Sequence, residues 1–254
     1  MVRTPPLRYL DAAADLDAAE ELFRGCEYRR KGYDLPAKVR KQFEYQRFLS
    51  QHAQRPTWSQ VWRHGLPYLG MDGSPPPEIG APPVVLRSYR GDELPALLEA
   101  VTASLDHLRP WLPWASVEPL EPGLSEFVRQ SVAKFRRAEN FDYAIWDDVA
   151  SLLVGGAGLH PRLGPGRIEI GYWVRDGWLR RGIATATARA LTSAAFTMSG
   201  IEEVHIHCDE ANMVSAAVPN RLGFRLPKIV DDEVDAPAEV GRSMEWVMSR
   251  ANWL

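Results

Sequence analysis

A chain of 254 residues with 45% hydrophobic residues can form one large domain plus an appendage around a sizeable core. Its formal net charge of −3 gives no global pull toward nucleic acid or an anionic membrane surface. Two cysteines, Cys26 and Cys208, stand too far apart in sequence to suggest a disulfide framework and suit a reducing cytoplasm.

Met1 to Leu10 lacks the apolar centre of a signal peptide, and no apolar run approaches the roughly 18 residues that span a bilayer. A soluble cytoplasmic protein is the expectation. Residues 1–70 read as a helical extension. Leu16, Ala19, Leu22 and Phe23 share one helical face, and Val39, Phe43, Gln46 and Leu49 form a second stripe. Arg29, Arg30, Lys31, Lys38, Arg40, Lys41 and Arg47 are interleaved with Tyr28, Tyr33, Phe43 and Tyr45. Such a mixture can mark RNA binding. A charged outer face on an amphipathic appendage is the favoured reading. Its stripes would pack on the rest of the chain or on another copy, with a homodimer as one option. Residues 71–83 are dense in proline and glycine and read as a linker. Residues 84–254 form the second domain.

Within it, strands are expected over Val84–Tyr89, Tyr143–Trp146, Leu152–Leu159, Ile168–Val174, Val204–Cys208 and Ser243–Met248. Another strand starts at Phe224. Helices are expected over Glu93–Leu108, Leu124–Arg137, Gly182–Met198 and Met213–Leu222. The acidic pair Asp147-Asp148 turns between two of the strands. This order, with a mixed sheet, indicates an α/β or α+β fold.

Three motifs carry chemistry. On the strand from Ile168, Glu169 shares a face with Gly171 and Trp173, opposite Ile168, Ile170 and Tyr172. Partial burial would raise the pKa of Glu169 and let it accept a proton; pairing with an arginine is the bland alternative. The turn Arg180-Arg181-Gly182 then leads into a helix, so the N–H groups of Ile183, Ala184 and Thr185 could face an anion such as a pyrophosphate. Tight packing alone could also explain the glycine. Asn212 fits a helix N-cap with Ser215 one turn on, and Gly223 ends that helix. His205 and His207 share a strand face but lack a third ligand at recognisable spacing, so no metal is expected. Cys208 reads as an inert thiol.

Taken in order, Glu169-Ile-Gly-Tyr-Trp-Val174, Arg180-Arg-Gly-Ile-Ala-Thr185 and Asn212-x-x-Ser215-x-x-Val218-x-x-Arg221-Leu-Gly-Phe224 resemble the GNAT superfamily of N-acetyltransferases. The Rim-type branch, which acetylates ribosomal-protein N-termini, is the nearest in kind; Leu108-Arg-Pro-Trp-Leu-Pro-Trp114 is similar to it as well. The resemblance spans roughly Pro83 to Ser249. It implies a mixed, mostly antiparallel sheet flanked by helices, and acetyl-CoA as cosubstrate. Arg180 to Thr185 would hold the pyrophosphate, although Leu179 stands where the family usually has glutamine or arginine. Trp173 and Val174 would pair with the pantetheine amides as an added strand and supply an N–H to the oxyanion. Asn212 would bond the same arm. Ser215 would lie near the thioester sulfur and assist the leaving thiolate. Glu169 becomes the candidate base, acting through water. One histidine remains a smaller option.

On the acceptor side, the resemblance places Trp111 and Trp114 at the cleft border. Core packing explains them about equally well. The run 231–235, with four acids, could attract a cationic acceptor but reads first as a solvated loop. The expected activity is acetyl transfer to a primary amine, best a peptide or protein N-terminus, by direct attack in a ternary complex. Small amines such as antibiotics or polyamines are the alternative. A non-catalytic acyl-CoA-binding module is the rival from another class.

Overall fold

The computed structural model describes residues 74–147 and 152–253, all belonging to one unit of the chain, Trp58–Leu254. The expected N-terminal helices, the basic and aromatic run, Cys26 and Asp148 lie outside the described residues.

In chain order the elements are β1 (Glu78–Ala81), β2 (Val84–Ser88), α1 (Leu94–Thr102), α2 (Leu105–Leu108), a 3-10 turn (Pro113–Ser116), α3 (Leu120–Arg136), β3 (Phe141–Asp147), β4 (Leu153–His160) and β5 (Arg167–Val174). They continue with α4 (Ile183–Thr197), β6 (Glu203–Asp209), α5 (Met213–Arg221), β7 (Arg225–Asp231), β8 (Arg242–Ser249) and α6 (Arg250–Trp253). Eight strands form one sheet in the order β1-β2-β3-β4-β5-β6-β8-β7. Every pair is antiparallel except β5 with β6. A parallel pair needs a crossover, and α4 supplies it.

Two expectations are corrected. The segment read as a linker over 71–83 contains β1, whose four residues pair with β2 from Glu78↔Arg87 to Ala81↔Val84. The prolines flank the strand, and it takes the sheet edge, where fewer backbone donors are needed. The single helix expected over 93–108 is two helices. The break falls at Ala103–Ser104, where Ser104 Oγ donates to the Ala100 carbonyl at 2.6 Å and accepts from the Asp176 N–H at 3.0 Å. A serine that bonds back along its helix while serving a distant amide ends the run.

Alternation along the strands divides the core between two sheet faces. Phe141, Tyr143, Ile145, Ile168 and Ile170 pack with Ile183, Ala188, Leu191 and Ala195 of α4. On the other face Ala144 and Leu153 meet Leu97 and Val101 of α1 and Leu124 and Val128 of α3. Each large aliphatic side chain so buried contributes about 1.5–3 kcal/mol. The two packed faces hold β5 and β6 rigidly at one end and leave their other ends to diverge.

Candidate active site

The parallel β5–β6 ladder is short. It holds Arg167↔Glu203, Ile168↔Val204 and Glu169↔His205, and goes no further. On its other side β5 stays paired with β4 as far as Gly155↔Val174. The chain from Ile170 to Val174 therefore offers one open backbone edge into a gap against β6. Its far end is closed by His107, whose Nε2 lies 2.9 Å from the Val174 carbonyl. A carbonyl only accepts, so Nε2 carries the hydrogen. This bond engages one lone pair of the Val174 oxygen and leaves the Val174 N–H on the open edge. The Trp173 backbone turns toward β4 in this register, and its indole stands over Gly156, where a Cβ would come within 2.5 Å of Nε1.

The turn into α4 sits near the gap. Gly182 has φ +77° in the left-handed region, and the preceding Arg180 has φ +59°. Glycine adopts that conformation without a side-chain penalty. No side chain caps α4, and its first turn holds no acidic residue. The leading amides and the helix dipole thus favour an anion. Arg181 lies over the Trp178 ring at 4.6 Å, and Leu179 is 39% exposed beside them. A third arginine, quoted in the α5 motif but given no role there, joins from α5: Arg221 Nη1 donates to Thr185 Oγ1 at 3.1 Å.

At α5, Asn212 caps the helix as expected, its Oδ1 accepting the Ser215 N–H at 3.1 Å. Ser215 meets a partner from the β5 face opposite Glu169. Tyr172 donates to the Ser215 carbonyl at 3.2 Å, and its hydroxyl lies 3.3 Å from Ser215 Oγ. The reason is in the sequence. Pro219, inside α5, has no N–H for the carbonyl four residues back. Tyr172 fills that vacancy and is held against Ser215. Burial pushes the tyrosine hydroxyl up, so it stays protonated. Burial also pushes the Cys208 thiol up to about 11, so it is neutral and a poor nucleophile.

Across the sheet, Glu169 takes the arginine-paired alternative rather than the raised pKa expected of a base. It is buried, and burial does favour its neutral form, but Arg162 outweighs burial. Arg162 Nε and Nη2 reach the two carboxylate oxygens at 2.7 and 2.6 Å, and the carboxyl is held at about 2. The expected rise in pKa is overturned, because a bidentate guanidinium stabilises the charged form more than burial penalises it. Nothing in the strand motif pointed to Arg162, which comes from the loop after β4. His207 Nδ1 lies 3.9 Å from Glu169 Oε2, and His160 is the β4 residue opposite Glu169.

Of the two tryptophans expected at the acceptor cleft, Trp114 on the 3-10 turn is 39% exposed and meets Trp173 edge-on, with centroids 6.3 Å apart. Trp111 is half-buried in the turn after α2, its N–H bonded to the Leu108 carbonyl. The loop between β7 and β8 touches the same region, where the Ala238 N–H donates to the Pro110 carbonyl at 3.0 Å.

Residues 84–225 match the acetyltransferase (GNAT) domain. The chain belongs to the GNAT acetyltransferase family. YdaF of Bacillus subtilis (strain 168), provisionally named a ribosomal N-acetyltransferase, is 40% identical over 58 residues, which cover 23% of this chain and 32% of YdaF. The alignment thus spans about a third of that relative's length. Among solved structures, the GNAT fold here is similar to RimL, the ribosomal L7/L12 alpha-N-protein acetyltransferase in complex with coenzyme A (TM-score 0.62, 19% identity, 69% of this chain and 99% of that one). It is similar also to Mycobacterium smegmatis RimJ in complex with CoA-disulfide (TM-score 0.60, 22% identity, 71% and 89%). A third is the microcin C7 self-immunity acetyltransferase MccE with acetyl-CoA and AMP (TM-score 0.60, 16% identity, 66% and 93%). Among the described residues of this GNAT chain, no helix is long and apolar enough to cross a membrane.

Proposed function

We propose that this chain is an acetyl-CoA-dependent N-acetyltransferase whose acceptor is the N-terminal amine of a peptide or protein. The observation that carries the reading is the early end of the β5–β6 ladder at Glu169↔His205, with an anion-receptive helix start and a hydroxyl pair at its margins. That layout suits a ligand with a charged handle, an amide-bearing arm and a reactive tip. The open amides of α4, with Arg180, Arg181 and Arg221, would receive the pyrophosphate. The free edge of β5 at Val174, next to Trp173, would pair with the arm, and the Asn212 amide nitrogen would bond it. Ser215, backed by Tyr172, would give the departing sulfur a hydrogen bond. When bound, acetyl-CoA supplies the activated acyl group. Trp111 and Trp114 would border the acceptor, and the name of RimL, an alpha-N-protein acetyltransferase, supports a protein substrate.

Residues 1–70 would form a separate helical extension ahead of the sheet. MccE, solved with the small molecule AMP beside acetyl-CoA, keeps a small-molecule acceptor as the second reading.

The test is thiol release from acetyl-CoA with free peptides, the same peptides acetylated at the N-terminus, polyamines and aminoglycosides. Release with free peptides alone supports the reading. Release confined to small amines replaces the acceptor assignment. Acetyl-CoA binding without any release leaves a non-catalytic binding module. Ser215→Ala should lower kcat about 10- to 100-fold with acetyl-CoA affinity preserved.

A further inference from the structure

We propose that His107 and Ser104 are positioning residues that fix the register in which the cosubstrate's arm pairs with β5. The inference rests on the acetyltransferase reading above and deepens it.

The open edge of β5 has a defined end. The Arg175 N–H donates to the Val154 carbonyl at 2.8 Å, so Trp173 and Arg175 turn their backbone groups toward β4. Alternation turns Tyr172 and Val174 the other way, to the side that β6 leaves after Glu169↔His205. An extended ligand on such an edge takes the carbonyl of one residue and the N–H of the residue two further on. The Tyr172 carbonyl with the Val174 N–H makes one such rung. The next would be the Val174 carbonyl with the Asp176 N–H. Both groups of that rung are already engaged. His107 Nε2 donates to the Val174 carbonyl at 2.9 Å, and Ser104 Oγ accepts the Asp176 N–H at 3.0 Å. Arg175, between them, sets its two Nη groups on the two carboxylate oxygens of Glu99 in α1.

The two stops are themselves firmly held. Ser104 is 1% exposed at the break between α1 and α2, and its Oγ donates to the Ala100 carbonyl. The hydroxyl's one hydrogen is thereby spent, and a lone pair is left for Asp176. The Ser104 carbonyl accepts the N–H groups of His107 at 3.2 Å and Leu108 at 3.1 Å, and the Leu108 side chain is buried. One serine therefore holds Asp176 directly and sets the turn that carries His107.

The consequence is a choice of register. One rung is two residues of extended chain, about 6–7 Å. An arm paired one rung nearer the α4 turn would draw its thioester away from Ser215 by that distance, out of hydrogen-bond reach. With that rung closed, the arm is confined to the stretch that delivers its tip to Ser215. A misplacement of only about 1 Å can cost about 100-fold in rate. His107 acts through the Val174 carbonyl and takes no part in proton transfer.

The experiment measures kcat for peptide-dependent thiol release, acetyl-CoA Kd by calorimetry, and Tm. The proteins are the unaltered chain, His107→Leu, His107→Gln and Ser104→Ala. Leucine fills the space without a donor, whereas glutamine brings an N–H to the same carbonyl. In His107→Leu, kcat should fall about 10-fold or more while Kd stays within about threefold, because the α4 turn and Asn212 are untouched. Ser104→Ala, which frees the Asp176 N–H, should show the same split. His107→Gln should recover kcat to within about threefold of the unaltered chain, because the donor is restored. Equal losses in the Leu and Gln variants would overturn the assignment, as would a loss expressed in Kd and not in kcat. Failure of His107→Leu to fold would make the bond a stability element and overturn it as well. An unaltered chain that is active, with His107→Leu equally active, overturns the register assignment alone. Absence of peptide-dependent release by the unaltered chain overturns the acetyltransferase reading beneath it.

Discussion

Pro219 has no N–H to give the Ser215 carbonyl, and Tyr172 donates to it instead. One side chain's missing donor thus fixes the partner of a residue on another element. The proline was visible in sequence, but its consequence depended on which residue of β5 stood opposite, and only the fold supplies that. Glu169 has the same logic with a different outcome. Its strand position was legible, whereas its state is set by Arg162. That pairing carries a prediction about acid stability. The folded pKa of Glu169 is depressed from the ordinary 4.5 to about 2. Its contribution is therefore full above about pH 4.5 and is lost as pH falls from there toward 2. Arg162 is 62% exposed, so solvent screening holds the effect to about 1–2 kcal/mol. Urea unfolding of the unaltered chain and of Glu169→Gln should show that gap at pH 7 and a much smaller one at pH 3. An unchanged gap would mean the ion pair contributes through packing alone.

At the scale of elements, hydrophobic periodicity located the strands and helices of residues 84–249 because each buries one face. It missed β1, a four-residue edge strand enclosed by prolines, and the Ser104 break, which depends on Asp176, 72 residues away. The Gly182 turn and the Asn212 cap were legible because both are local devices, a left-handed turn and an N-cap. Contacts such as His107 with Val174 and Arg221 with Thr185 join distant segments and left no local signal. Asp209 is another such joint. Its Oδ2 accepts the N–H groups of Val240, Gly241 and Arg242, and its Oδ1 that of Ala211. One carboxylate thereby ties the start of α5 to the loop before β8, and that loop reaches Pro110 through Ala238. Asp209→Ala should leave four amides without this acceptor and free the loop. Hydrogen exchange at residues 238–242 should accelerate about 10-fold or more, as expected for losing roughly 1.4 kcal/mol of local protection. Unchanged exchange there would show that the strand pairing of β8 holds the loop without Asp209.

For the molecule as a whole, the sheet is two blocks, β1 to β5 and β6 with β8 and β7, joined by three parallel pairs and by α4. The blocks are well packed individually, so the gap between them is the natural place for a ligand to add contacts that the chain lacks. A ligand that pairs with the free edge of β5 and the start of α4 while touching Asn212 and Ser215 would bridge both blocks. Binding only the folded state stabilises it by about 2.7 kcal/mol at a ligand concentration 100 times Kd. For a domain of this size that corresponds to a rise in Tm of about 5–10 °C. Acetyl-CoA should give such a shift in scanning calorimetry. ADP, which carries the pyrophosphate without the arm, should give a clearly smaller one, because it reaches the α4 turn but not β5 or α5. Equal shifts from the two would place the binding energy at the arginine-flanked turn alone and remove the strand edge from the site. No shift from acetyl-CoA at millimolar concentration would remove the gap itself as the cosubstrate site.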